Sequence, residues 1–160
     1  MECFLWKIVD MCKGKNYYHD AKEIVYNYLL AWSYWKETAR EWLSLKEREK
    51  MFFKKVADDM GHYTPVLYSI SKVLNDIGSN FIEDGIAWLS EMIDNNKNLL
   101  VDELEVNTIY YIENLIRKFI LSNRRKIKMT LQIKRQVVII LNFLVERGSA
   151  TGYLLRENIL

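Results

Sequence analysis

The chain has 160 residues and a net charge of +2, with half of its residues apolar or aromatic and 28% charged. That is long enough to bury a sizeable core and too apolar for a disordered segment. One proline and six glycines leave few places to turn, which argues against a many-turned β fold and for helices.

Residues 2–13 are a short helical candidate with Phe4, Leu5, Ile8, Val9 and Met11 as apolar positions. Cys3 and Cys12 would lie on opposite sides of that helix and could not bridge, and two free thiols suit a reducing cytoplasm. Glu2, Lys7 and Asp10 deny it the uncharged core of a signal peptide. No apolar run reaches the roughly 18 residues that span a bilayer. A cytoplasmic chain without membrane contact is expected.

Asp20 followed by Glu23 is a capping-box pattern, and Ile24, Tyr28, Leu29, Trp32, Trp35, Ala39 and Trp42 continue it at three- and four-residue steps. This predicts a helix over 20–42. Ser44 with Glu47 opens a second over 45–60, stopped by Gly61. Thr64 as N-cap with Pro65 in the first helical position begins 65–77, which Gly78 ends. Asn80 with Glu83 caps 81–94, and 95–98 is a polar loop.

A long helix is predicted over 102–122. Asp102, Glu103 and Glu105 in its first turn and Arg117, Lys118 and Arg124 at its end would complement the helix dipole. Ile109, Ile112, Leu115, Ile116, Phe119 and Ile120 form its apolar stripe, with Glu113, Asn114 and Lys118 opposite. Residues 123–129 read as a basic connector. Thr130 can cap 131–147, Gly148 can stop it, and Ser149 can cap a last helix over 150–158. The 131–147 helix is apolar nearly all round, so it is expected to be buried between neighbours.

Two helix pairs echo each other. Leu67, Tyr68, Ile70, Val73, Leu74 and Ile77 match Ile109, Tyr110, Ile112, Leu115, Ile116 and Phe119 at a constant offset of 42. Ile86, Leu89, Met92 and Ile93 match Val138, Leu141, Leu144 and Val145 at an offset of 52. Over 65–148 the chain thereby resembles the HEAT- and armadillo-type α-helical repeats at the level of the class. The resemblance implies an all-α fold of antiparallel helix pairs (20–60, 65–95 and 102–147) stacked as a short α-solenoid in a single domain over 1–160, with an irregular helical bundle as the alternative. It also implies a surface that binds protein or nucleic acid, and no chemistry.

The residues themselves offer little chemistry. His19 and His62 are the only histidines, and Asp58 with His62 falls short of a metal's three or four ligands. No nucleophile-elbow, zinc-protease or phosphate-loop pattern occurs. A non-enzymatic module without cofactor is expected.

Charge is unevenly spread. Residues 76–113 hold nine acids and one base, whereas 114–145 hold eight bases and no acid. The bases are Arg117, Lys118, Arg124, Arg125, Lys126, Lys128, Lys134 and Arg135. The expectation is a scaffold, part of a larger assembly, that docks a protein partner or a second copy through acidic 76–113 and basic 117–135. The alternative is nucleic-acid binding by the basic segment, since clustered cations release counterions from phosphates. A further cue is 141–155, where Leu141, Leu144, Gly148, Leu154 and Leu155 are spaced as in a helix-turn-helix. Its second helix, 150–158, carries one base, Arg156.

Overall fold

The computed structural model describes residues 64–77, 82–95 and 106–159, together with the isolated positions Lys7, Met11, Ile24, Lys54, Ala57 and Asp58. The helices expected over 2–13, 20–42 and 45–60, both cysteines, both histidines and the acids Asp102, Glu103 and Glu105 lie outside the described residues as elements or sites. The fold is all-α: α1 is Thr64–Ile77, α2 Ile82–Asn95, α3 Val106–Met129, α4 Leu131–Glu146 and α5 Ala150–Glu157, and no strand occurs among the described residues.

Helix α1 begins at Thr64 itself, one residue earlier than the cap assignment placed it. Pro65 therefore sits in the first turn, where its missing N–H removes no helical hydrogen bond. Residues 123–129 are not a connector. Helix α3 continues through them, with one non-helical residue, Asn123, at φ −127° and ψ 21°. The physical reason is in the segment's own composition: Arg and Lys are good helix formers, and Ile127, seven residues after Ile120, stays in phase with the apolar stripe. Ile127 is buried accordingly. The Asn123 side-chain amide donates to the Phe119 carbonyl at 3.1 Å, so the backbone acceptor beside the break is served. Arg117 and Lys118 lie toward the end of the segment that Asn123 interrupts, near where the sequence places them, and Lys126 and Lys128 occupy the last turn of α3, where the dipole favours cations.

A single extended residue, Thr130 at φ −116° and ψ 105°, makes the corner between α3 and α4. Its side chain forms no capping bond, contrary to the expected cap. The backbone carries the corner instead: Thr130 N–H donates to the Lys126 carbonyl at 2.9 Å, and Lys134 N–H to the Thr130 carbonyl at 3.0 Å.

The far end of α4 follows the expected turn chemistry. Gly148 adopts φ +78°, a backbone state that costs a side-chain-bearing residue steric strain. Gly148 N–H donates to the Val145 carbonyl and Ser149 N–H to the Leu144 carbonyl, each at 2.9 Å, which is a Schellman closure. The Ser149 hydroxyl then accepts from Gly152 N–H at 2.7 Å and starts α5.

Helix α1 packs chiefly along α3 and α2 along α4; α4 also touches α3 and α5. One core runs through the described helices, with Ile70, Leu74, Leu89, Met92, Ile112, Ile116, Phe119, Leu141 and Leu144 almost fully buried. Two glycines set close approaches. A Cβ on Gly85 of α2 would lie 2.8 Å from Leu74 Cδ2 of α1, and one on Gly152 of α5 would lie 2.6 Å from Leu144 Cβ of α4. No helix among the described residues is long and apolar enough to cross a membrane.

Candidate functional site

The eight bases do not form one patch. Packing divides them among several places. Lys118 and Lys126 turn toward α1 and α2: Lys118 Nζ donates to the Asn75 carbonyl at 3.3 Å, and Lys126 Nζ reaches both Glu83 carboxylate oxygens at 2.5 and 2.6 Å. That ion pair is about half exposed on both sides, so it contributes at most about 1 kcal/mol. Arg135 lines a hollow between α2 and α4 together with Glu91 and Asp94. Arg125 lies with Lys126 in the hollow beside the Thr130 corner. Lys134 is half-buried on α4.

The remaining bases lie on the outer side of α3. Arg117 and Leu121 precede the break at Asn123 and Arg124 and Lys128 follow it, each pair four residues apart and so on one side of its own helical segment. All four are exposed, Leu121 by 61%. Arg117, Arg124 and Lys128 make no ion pair among the described residues.

Below this side α5 crosses the C-terminal half of α3 and leaves a groove of about 190 Å³. Ile120, Leu121, Ile127, Leu155 and Ile159 supply its apolar lining; Arg124, Lys128 and Asn158 supply the polar part. Helix α5 is held in position by Ser149, whose hydroxyl donates to the half-buried Glu113 carboxylate of α3 while it accepts from Gly152. Glu113, read from sequence as part of the solvent-facing side, is thus a tether between α3 and α5. Asn158 Nδ2 donates to the Leu154 carbonyl at 2.7 Å and closes the last turn of α5. Outside the groove α5 exposes Tyr153 by 51% and Leu154 by 62%.

The turn of three residues between α4 and α5 has the length of a helix-turn-helix corner. The second helix lacks the matching surface. Its one cation, Arg156, is half-buried, lies 5.8 Å over the Tyr153 ring and reaches Asn142 Oδ1 at 3.5 Å. What α5 offers outward is Tyr153, Leu154 and Glu157.

The sequence reading had the cations but not the groove. Leu121, Leu155 and Ile159 join Arg124 and Lys128 only because 123–129 is helical and α5 folds back on α3. The available signal was the apolar Ile127 among the bases. Among the described residues no group of His, Cys, Asp and Glu is arranged to hold a metal ion. No protein-family model matches the chain, and no curated protein matches it in sequence.

Proposed function

We propose that the chain is a non-enzymatic helical-repeat interaction module, a short stack of helix pairs that serves as a scaffold within a larger assembly. The observation that carries this reading is the open edge of the stack, where exposed Leu121, Tyr153 and Leu154 lie beside cations that the described residues leave unpaired. The solenoid-type arrangement is supported by helices of like position lying on one another, α1 along α3 and α2 along α4. Nucleic-acid binding by 117–135 is the second reading, supported by the exposed Arg117, Arg124 and Lys128. Against it stand the pairing of Lys126 with Glu83 and the siting of Arg135 beside Glu91 and Asp94. These draw part of the basic segment away from any shared phosphate track.

A photo-crosslinking amino acid placed at Leu121, Leu154, Tyr110 or Leu131 in the chain's own cells tests both readings. A discrete protein adduct at one or more positions is the expected result. An adduct of twice the chain's mass selects self-association; one released by nuclease moves the function to nucleic acid. Absence of any discrete adduct at all four positions overturns the interaction reading.

A further inference from the structure

We propose that the groove between α3 and α5 receives an acidic amphipathic helix from a protein partner, a proposal that rests on the interaction reading above. The size of the groove sets the first limit. At about 190 Å³ it is smaller than the roughly 300–1,000 Å³ of small-molecule sites, and it suits one or two aliphatic anchor side chains. Its lining sets the second. Ile120, Ile127, Leu155 and Ile159 offer nothing to a phosphate backbone, but they match the anchors that an amphipathic helix presents at i, i+3 or i+4 and i+7.

Charge supplies the rest. Arg124 and Lys128 border the apolar lining, and the exposed Arg117 lies on α3 before Asn123. Arg124 and Lys128 lie on the helical segment beyond Asn123, near 6 Å apart at about 1.5 Å rise per residue, and Arg117 lies before the break. A helix docked on this half of α3 meets Arg124 and Lys128 with carboxylates about four residues apart on the flank of its apolar face. No described acid lines the groove. On α2 and α3, Glu83 is held by Lys126 and Glu113 by Ser149, Asp84 and Asp94 have partners of their own, and Glu91 shares its hollow with Arg135. Glu157, the acid on α5, is not among the groove's lining residues.

Selection of helical peptides from a display library on the immobilised full chain tests the proposal. Enriched peptides are expected to carry Leu-, Ile- or Phe-type anchors at helical spacing flanked by Asp or Glu. Their binding should weaken by about tenfold or more in Arg124→Glu/Lys128→Glu and with rising salt, and should be unchanged in Arg135→Glu. Circular dichroism of the variants confirms that the exposed substitutions leave the helices intact. No enrichment, enrichment of basic peptides, or binding indifferent to the double reversal overturns the proposal. So does sedimentation showing a dimer that the same double reversal dissociates, because a second copy then occupies the groove. A protein adduct at Leu121 or Leu154 combined with any of these results leaves the interaction reading standing and removes only the acidic-helix occupant.

Discussion

Helices α1 and α3 carry nearly the same inner stripe and very different outer sides. Ile70 and Ile112, Val73 and Leu115, Leu74 and Ile116 stand 42 residues apart, and all six are buried. Tyr68 and Tyr110 stand at the same offset, yet Tyr68 is 8% exposed and Tyr110 58%. Helix α1 is covered on further faces too, with Ser69 and Ser71 fully buried, whereas α3 leaves Tyr110, Arg117, Leu121 and Arg124 in solvent. The stripe decides that helices stack. Position in the stack decides which outer face stays free, and the free face holds the groove.

The largest effects should come from the shared interior. Leu89 of α2 and Leu141 of α4 are each fully buried and stand 52 residues apart. Leu89→Ala and Leu141→Ala should each cost about 2–5 kcal/mol, because the cavity adds to the lost transfer energy. Urea denaturation reads both. Costs of similar size support equivalence of the two layers; a loss confined to one of them breaks it.

Next comes the pair that the two helices treat differently. Tyr68 is buried and its ring lies 5.8 Å from that of Tyr111, while Tyr110 meets Tyr111 at 5.7 Å but remains largely in water. Tyr68→Ala should therefore cost about 2–3 kcal/mol more than Tyr110→Ala, which removes mostly surface contact. Equal costs by denaturation would mean that Tyr110 is covered in solution and that the outer face of α3 is not open as described.

The reach of the sequence follows the range of the interactions. Gly148 and Ser149 were legible because a positive φ and a short side-chain cap are settled within four residues. The all-α class was legible because apolar spacing repeats along each segment. The run of bases at 124–128 has the charge of a loop but is helical, and the only contrary signal in the sequence is the apolar Ile127 among them, which is buried. Thr130 occupies the cap position, but the backbone bonds of Lys126 and Lys134 replace its side chain. The division of the eight bases was not readable at all. It depends on Glu83 arriving beside Lys126 and on Glu91 arriving beside Arg135, which only the packing of α2 against its neighbours determines.

The smallest predicted effect compares the two glycine contacts. Gly→Ala inside a helix ordinarily stabilises by about 0.5–1 kcal/mol, since alanine has less backbone freedom to lose. At Gly152 the new methyl would meet Leu144 Cβ at 2.6 Å, and a Cβ has no rotamer by which to withdraw. Helix α5 must then lift from α4, and overpacking of this kind costs about 1–3 kcal/mol. At Gly85 the nearest atom is Leu74 Cδ2, the tip of a side chain that can turn. Gly152→Ala should therefore be destabilising by about 1 kcal/mol net, and Gly85→Ala should stay within about 1 kcal/mol of neutral. Lifting α5 also widens the groove beside Leu155 and Ile159. Hydrogen exchange in Gly152→Ala should accordingly rise first at the amides of α5, and a uniform rise across α1 to α5 would show that the α4–α5 contact is not a separable part of the stack.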